Sequence, residues 1–168
     1  MKICINLGHT KTGKGTGANG FLNESKETRK IGYELMKLFA DTKHEIIPIV
    51  FDKSENNLKE AVNVANVESP DLFLSIHLNA SNGNGKGCEA FTWKGKKLNQ
   101  AVKICDNLNK LGFKNRGVKD GSNLYVIKNT KATAILIEVC FADNKEDSTL
   151  YNKLGVSKIA KAIFDAIN

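Results

Sequence analysis

The stretch Asp71-Leu72-Phe73-Leu74-Ser75-Ile76-His77-Leu78-Asn79-Ala80 decides how the rest of the chain is interpreted. It follows Pro70, is apolar almost throughout, and leads into residues 81–87, which are rich in glycine and asparagine. An apolar run of this length between turn signals is typical of a strand that is buried on both faces of its sheet. Open α/β sheets bind ligands at the carboxyl ends of such strands, and His77 lies at that end.

A similar strand is predicted at the start of the chain. Residues 2–7 are mostly apolar, and Gly8-His9-Thr10 follows them. Residues 11–20 cannot pack and are predicted to form a loop. Their glycines do not complete the phosphate-binding pattern GxxxxGK[ST], because no Gly-Lys-Ser or Gly-Lys-Thr occurs, so nucleotide binding is not favoured.

Glu24 falls in the first turn of the first predicted helix. Asn23 is a suitable N-cap, and apolar residues recur at helical spacing from about residue 23 to residue 40. An acidic residue in a first turn is favoured by the helix dipole in any case. If the strands before His9 and His77 are parallel neighbours, Glu24 and the two histidines meet at one edge of the sheet.

The remaining segments alternate between strand and helix patterns. Strands are predicted at residues 44–51 (an edge strand, because it contains Pro48), 87–93 (half facing solvent), 124–128 and 133–139. Helices are predicted at residues 57–67, 98–112 and 147–167, and the polar residues 115–123 are predicted to form a loop. The pattern predicts an α/β fold, a three-layer α/β/α sandwich with a mainly parallel twisted sheet of about six strands and helices on both faces. Residues 1–168 are expected to form a single domain.

The composition is that of an ordinary globular protein, with 41% hydrophobic and 26% charged residues. No apolar stretch reaches the length of about 20 residues that a transmembrane helix needs, so membrane insertion is not expected. The first residues do not resemble a signal peptide, and we expect synthesis in the cytoplasm. The four cysteines form no CxxC pair, which favours reduced, buried thiols over a thiolate zinc site.

The net charge of +7 arises almost entirely from lysine, since Arg29 and Arg116 are the only arginines. Proteins that bind nucleic acid usually use arginine for bidentate contacts and interleaved aromatic residues for stacking. This chain has neither feature, so nucleic acid is not an expected partner. The lysines are spread along the chain and indicate a solvated surface, or attraction to another anionic polymer such as one of the cell wall.

Four polar residues are therefore candidates for one site. Zinc in catalytic sites takes three protein ligands, and a set of two histidines and one glutamate is known. His9, Glu24 and His77 supply such a set, and Glu138 ends the apolar strand predicted at residues 133–139. A carboxylate beside a metal can act as a general base and then as a proton donor. The residues alone also leave open a Cys140/His77 nucleophile pair, although nothing near Cys140 indicates an activated thiol.

Five blocks of this sequence resemble, in order, those of the zinc-dependent N-acetylmuramoyl-L-alanine amidases of the amidase-3 type. The blocks are Ile5-Asn6-Leu7-Gly8-His9, Gly20-Phe21-Leu22-Asn23-Glu24, Ser75-Ile76-His77-Leu78-Asn79-Ala80, Arg116-Gly117-Val118-Lys119 and Ile137-Glu138-Val139-Cys140-Phe141-Ala142-Asp143-Asn144. The first block departs from the usual Asp-Pro-Gly-His-Gly-Gly, and Cys140 stands where glycine is common. Neither departure replaces one of the four candidate residues.

The resemblance implies hydrolysis of the amide between the lactyl group of N-acetylmuramic acid and L-alanine in peptidoglycan. It implies one Zn²⁺ ion held by His9, Glu24 and His77, with Glu138 as the catalytic residue and with Asn79 and Arg116 in the substrate cleft. Residues 1–168 would then be the catalytic domain of a phage endolysin or bacterial autolysin that acts on the cell wall after release, with any C-terminal wall-binding domain absent. A zinc peptidase that cuts within the stem peptide, and a non-catalytic wall-binding module, remain the alternatives.

Overall fold

The computed structural model describes every residue from Met1 to Asn168. Six strands form the central sheet: β1 (Lys2–Thr10), β2 (Glu45–Phe51), β3 (Leu72–Asn79), β4 (Cys88–Thr92), β5 (Asn115–Asp120) and β6 (Thr133–Phe141). Six helices accompany them: α1 (Glu24–Phe39), α2 (Asn57–Glu68), α3 (Asn99–Lys110), α4 (Tyr125–Asn129), α5 (Lys145–Leu154) and α6 (Val156–Ile167). None of these helices has the length and apolar composition that crossing a membrane requires.

The strands are ordered β2-β1-β3-β6-β4-β5 across the sheet. β2, β1, β3 and β6 are parallel, whereas β4 runs antiparallel to β6 and β5 runs parallel to β4. The predicted α/β sandwich with a mainly parallel sheet is thus confirmed. Because of the reversal at β4, the amino ends of β4 and β5 lie at the same edge of the sheet as the carboxyl ends of β1, β3 and β6.

Alternation along the strands divides the core into two layers. Ile3, Leu74 and Ile137 belong to the larger cluster, which packs against α1, α3, α5 and α6. On the other face, Cys4 and Phe73 pack against α2 and α4 with their neighbours. The apolar part of this second face stops short of the carboxyl ends of the parallel strands, and polar side chains follow it there.

The structure corrects three predicted elements. Residues 124–128 are not a strand: Tyr125–Asn129 is the helix α4, which buries Val126 and Ile127 against the second face. Residues 115–120, predicted as part of a loop, form the edge strand β5, which pairs only with β4 and therefore needs no apolar alternation. The helix predicted at residues 147–167 is two helices that meet at Gly155, whose φ of 77° no helical residue adopts.

The other predicted elements agree with the structure to within a few residues. β2 lies at the edge of the sheet, as Pro48 indicated. All four cysteines are free and buried, as expected. The burial of β4 differs from the prediction. It was predicted to be half exposed to solvent, but it lies between β6 and β5 and is mostly buried.

Candidate active site

Three acidic and basic side chains lie in a row across adjacent strands. His77 of β3 pairs in register with Glu138 of β6, and Glu138 pairs with Glu89 of β4. Residues in register on neighbouring strands point to the same face, and strands are about 4.7–4.9 Å apart. The three side chains therefore continue the second face of the sheet where its apolar layer ends.

His9, Glu24 and His77 converge at one end of this row. Glu24 Oε1 lies 3.0 Å from His9 Nε2 and 3.1 Å from His77 Nδ1. The two ring nitrogens are themselves 3.2 Å apart. Glu24 and His77 are only 4% and 7% exposed, whereas His9 is half-buried. The structure thus brings together the three residues that the sequence predicted as a set.

Local backbone structure holds each member of this set. Asn23 caps α1 by accepting a hydrogen bond from the Lys26 amide, which fixes Glu24 at the first position of the helix. The Glu24 carboxylate accepts further hydrogen bonds from the backbone amides of Ala18 and Leu78, at 2.7 Å and 3.0 Å. His9 has a φ of 69°, an unusual left-handed conformation, and it lies where the pairing of β1 with β2 becomes irregular.

The hydrogen bonds around the two histidines determine which ring nitrogen carries the proton. His9 Nδ1 lies 3.0 Å from the Gly15 carbonyl, an acceptor, so Nδ1 donates and Nε2 carries no hydrogen in the neutral imidazole. Burial would lower the pKa of His9, but the hydrogen bond to Glu24 and its negative charge outweigh burial and raise it. His77 Nε2 lies 3.1 Å from the Ser75 hydroxyl. That hydroxyl donates to Asn6 Oδ1 at 2.8 Å, so it accepts from His77 Nε2 and leaves Nδ1 unprotonated.

When both imidazoles are neutral, three atoms with unshared electron pairs therefore face one another without a hydrogen between them. This arrangement is unfavourable unless a proton or a cation lies among them. Tetrahedral zinc with bonds of about 2.0–2.1 Å would place its ligand atoms about 3.3 Å apart. The observed separations of 3.0–3.2 Å are close to this spacing, so the donor set fits a zinc ion. Burial also lowers the pKa of His77, which keeps its imidazole neutral as a ligand must be.

Two glycines make room for the convergence. A Cβ atom on Gly8 would lie 2.5 Å from His77 Cε1, and one on Gly17 would lie 2.5 Å from Glu24 Oε2. Both distances are shorter than van der Waals contact. Gly17 also has a φ of 77°, which disfavours any other residue. Gly17 lies in the loop predicted at residues 11–20, and this loop therefore packs closely against His9 and Glu24.

Glu138 lies beside the convergent set but outside it. Its Oε2 atom is buried and has no hydrogen-bond partner. Burial raises the pKa of its carboxyl well above the usual range, and the negative charges of Glu24 and Glu89 raise it further. A buried carboxyl with a raised pKa and an unpaired oxygen is suited to accepting and returning a proton.

Asn79 and Arg116, the two predicted cleft residues, both donate hydrogen bonds to Glu89. Asn79 Nδ2 donates to Glu89 Oε1, and Arg116 Nε donates to Glu89 Oε2, each at 2.7 Å. Lys119 Nζ lies 2.8 Å from the same Oε2 atom. Sequence reasoning missed Glu89 and Lys119, because β4 was expected to be half exposed and a glutamate on such a strand carries no signal. The alternation of β4 could have placed Glu89 opposite its apolar neighbours Cys88 and Ala90.

The loops at this edge of the sheet are tied together. Asp143 Oδ2 accepts hydrogen bonds from the backbone amides of Ser81 and Gly83. Asn144 caps α5 and also donates to the Gly83 carbonyl. The residues after β6 thus hold the loop after β3 in place, and this connects the ends of the two strands that carry Glu138 and His77.

The structure does not support a Cys140/His77 nucleophile pair. Cys140 is fully buried within the larger apolar cluster, and burial raises the pKa of its thiol well above the usual value. Both ring nitrogens of His77 are engaged by other groups. A protonated thiol without a base beside it is not a nucleophile.

Comparison with known proteins places these residues in a family. Residues 3–168 match the family Amidase_3, described as N-acetylmuramoyl-L-alanine amidase. The chain is 36% identical to an uncharacterised protein of Clostridium perfringens over 176 residues, which cover 100% of this chain and 52% of that protein. It therefore spans about half the length of the curated relatives it matches first.

Two solved structures are similar over nearly the whole chain. The catalytic domain of the endolysin CD27L, which targets Clostridia difficile, superposes with a TM-score of 0.89 at 38% identity, covering 99% of this chain and 96% of that one. The catalytic domain of CwlV, an N-acetylmuramoyl-L-alanine amidase from Bacillus (Paenibacillus) polymyxa, superposes with a TM-score of 0.86 at 25% identity, covering 99% and 95%. With a match over almost its full length, this chain belongs to the N-acetylmuramoyl-L-alanine amidase family Amidase_3.

Proposed function

We propose that residues 1–168 form the catalytic domain of a zinc-dependent N-acetylmuramoyl-L-alanine amidase. Its substrate would be peptidoglycan in the bacterial cell wall, and the bond cleaved would be the amide between the lactyl group of N-acetylmuramic acid and L-alanine. The observation that carries this proposal is the convergence of three possible ligand atoms, from His9, Glu24 and His77, within 3.0–3.2 Å of one another, beside Glu138 with its unpaired Oε2 atom. Family membership supports the choice of bond.

In this proposal His9 Nε2, Glu24 Oε1 and His77 Nδ1 hold the zinc ion. When bound, zinc polarises the amide carbonyl and makes water more acidic. The contacts with Gly15 and Ser75 keep both imidazoles in the tautomer that can bind a metal, and the backbone amides of Ala18 and Leu78 orient the carboxylate. At this end of the site, these contacts hold the three ligand atoms in position.

Glu138 would move the proton. As a general base, its carboxylate takes a proton from the water that attacks the amide carbon, so a carbon–oxygen bond forms. As a general acid, it returns that proton to the leaving nitrogen when the carbon–nitrogen bond breaks, which releases the free amine of L-alanine. The unpaired Oε2 leaves one oxygen of the carboxyl available for this exchange.

The first experiment treats purified peptidoglycan with the protein, with and without a chelator, and identifies the new chain ends by mass spectrometry. The proposal predicts free N-terminal L-alanine on intact stem peptides, released only while metal is present. New amines elsewhere in the stem would identify a peptidase instead. Wall binding without any new ends would identify a binding module.

A second experiment tests the role of Glu138. Glu138→Gln should lower turnover by about 10²–10⁴-fold, because the amide cannot exchange the proton. Zinc content, measured by elemental analysis, should stay at that of the unsubstituted protein. The exposed Glu55→Gln provides a matched control and should retain full turnover. Full activity of Glu138→Gln would contradict the proposed base.

A further inference from the structure

A group of charged residues lies next to the proposed base and has no part in the mechanism above. Glu89 is only 3% exposed. One of its carboxylate oxygens accepts a hydrogen bond from Asn79 Nδ2, and the other lies within 2.7–2.8 Å of both Arg116 Nε and Lys119 Nζ. We call these four residues the Glu89 cluster. One negative charge faces two positive charges, so the cluster carries a net positive charge.

Both cations keep donors that the protein does not use. Arg116 donates only through Nε, and its two Nη groups make no hydrogen bond to any protein acceptor. Its guanidinium lies over the ring of Phe141, 5.0 Å from the ring centre, and this cation–π contact helps to hold it in position. The side chains of Arg116 and Lys119 are 30% and 40% exposed, so the unused donors are accessible from solvent.

A bulge in β5 brings the two cations to the same side. In a regular strand, residues three positions apart point to opposite faces. Here Cys88 pairs with Asn115 but Ala90 pairs with Val118, so β5 has one extra residue over this interval. Gly117 lies within it with a φ of 78°, a conformation that favours glycine. The bulge lets both Arg116 and Lys119 reach Glu89.

The cluster lies within one strand spacing of the proposed base. Glu89 is paired in register with Glu138, which is paired in register with His77. Adjacent strands are separated by about 4.7–4.9 Å, so a substrate whose amide lies near Glu138 and His77 extends over the Glu89 cluster when it runs toward β4 and β5.

We propose that Arg116 and Lys119 bind a free carboxylate of the peptide stem. This inference rests on the proposed amidase function. In that substrate the lactyl carboxyl is consumed in the scissile amide, so the remaining carboxylates belong to the peptide side. The residue after L-alanine, a γ-linked D-glutamate, carries an α-carboxylate that some walls convert to a carboxamide. The planar fork of a fixed guanidinium matches a carboxylate with two parallel hydrogen bonds, whereas a carboxamide offers one acceptor and no charge.

The test uses two soluble muramyl pentapeptides that differ only in D-glutamate or D-isoglutamine at the second position. The unsubstituted protein should cleave the D-glutamate form with a kcat/KM at least about tenfold higher. Arg116→Met should bring this ratio close to one by slowing cleavage of the carboxylate form. Lys96→Met, at an exposed lysine beyond the carboxyl end of β4 and thus away from the Glu89 cluster, is the matched control and should leave the ratio unchanged. Lys119→Met provides a second variant if Arg116→Met fails to fold.

Binding provides a readout that does not require turnover. With the Glu138→Gln protein, calorimetry should show a dissociation constant at least about tenfold lower for the D-glutamate peptide. Equal affinity and equal kcat/KM for the two peptides would overturn the carboxylate subsite while leaving the amidase proposal intact. If the peptides bind with the expected preference but the unsubstituted protein cleaves neither peptide nor whole peptidoglycan, the amidase proposal is overturned and the subsite is retained. If both Arg116→Met and Lys119→Met kept the kcat/KM ratio of the unsubstituted protein for the two peptides, the preference would belong to other residues.

Discussion

The Ser75 hydroxyl connects the two parallel strands that carry the histidines of the site. It accepts a hydrogen bond from His77 and donates one to Asn6 on the neighbouring strand. Ser75→Ala should therefore weaken zinc binding by about 10–100-fold, because His77 loses the contact that fixes its tautomer and ring orientation. Competition with a chromogenic chelator measures this affinity.

A buried serine elsewhere provides the control for that measurement. Ser148→Ala also removes a side-chain hydrogen bond from a buried hydroxyl, but one that belongs to α5. Its zinc affinity should equal that of the unsubstituted protein. If Ser75→Ala bound zinc as tightly as Ser148→Ala does, the hydroxyl would have no role in orienting His77.

Glu89 links the charge of the site to stability. Burial alone would raise the pKa of Glu89, but hydrogen bonds from Lys119 and Arg116 outweigh it and lower the pKa below its ordinary value. A carboxyl with a lowered pKa in the folded state stabilises the fold above its unfolded pKa of about 4.3 and loses this contribution as the pH falls through the folded pKa. Glu89→Gln should thus be less stable by about 1–3 kcal/mol at neutral pH.

The difference in the free energy of unfolding between Glu89→Gln and the unsubstituted protein should become smaller as the pH is lowered. Urea unfolding at about pH 7 and about pH 3 measures this difference above and below the unfolded pKa, where the stabilising contribution of a carboxyl with a lowered folded pKa begins to decline. Glu55→Gln, at an exposed position, should match the unsubstituted protein at both values. A Glu89→Gln deficit that stayed constant down to acid pH would show that its charge contributes nothing.

Single residues differ in how much the sequence reveals of them. His9, Glu24, His77 and Glu138 could be selected because each lies at the end of a strongly apolar strand or in a helix's first turn, where a polar group needs a reason. Their roles remain predictions, but their proximity follows from parallel pairing of β1, β3 and β6. Glu89 and Lys119 gave no such signal, because their partners come from separate strands and depend on the bulge at Gly117.

At the scale of elements, α1 approaches β1 closely through Gly32. A Cβ atom at that position would lie 2.5 Å from Leu7 Cγ, and Leu7 is fully buried. Gly32→Ala gains about 1 kcal/mol of helix propensity, but overpacking costs about 1–3 kcal/mol. We expect lower stability and weaker zinc binding, because displacing α1 moves Glu24 at its first turn.

Urea unfolding and zinc competition together check this expectation. Tyr33→Ala changes the next residue of α1 on its exposed side and should alter zinc affinity little. If Gly32→Ala bound zinc normally, the position of Glu24 would not depend on the contact between α1 and β1.

The elements that the sequence mispredicted share a physical cause. β5 is polar because, as an edge strand, it is paired on one side only, so periodic apolar residues are not required. Residues 124–128 have high strand propensity, yet Val126 and Ile127 pack in the layer with α2 when they form a helical turn. In both segments tertiary contacts override the local pattern, whereas the apolar strands β1, β3 and β6 were identified because burial on both faces dictates their composition.

At the scale of the whole molecule, the net charge of +7 should help this chain find an anionic wall. Binding of the Glu138→Gln protein to purified walls should weaken as NaCl rises from about 0.05 M to about 0.5 M, because exposed charges are screened within a shorter distance. Sedimentation of the walls measures the bound fraction. Binding that did not change with salt would rule out general charge attraction.

The position of β6 has a consequence for the order in which the molecule is assembled. β6 is the last strand in the sequence, yet it lies between β3 and β4 in the middle of the sheet. During synthesis, the ribosome releases His9, Glu24 and His77 long before residues 133–141 appear. Until then, β1 to β3 and β4 with β5 are two separate pieces with open edges, which are prone to mispairing. A nascent chain would therefore carry the three proposed metal ligands early, and Glu138 would reach the proposed site only when β6 joins the two pieces.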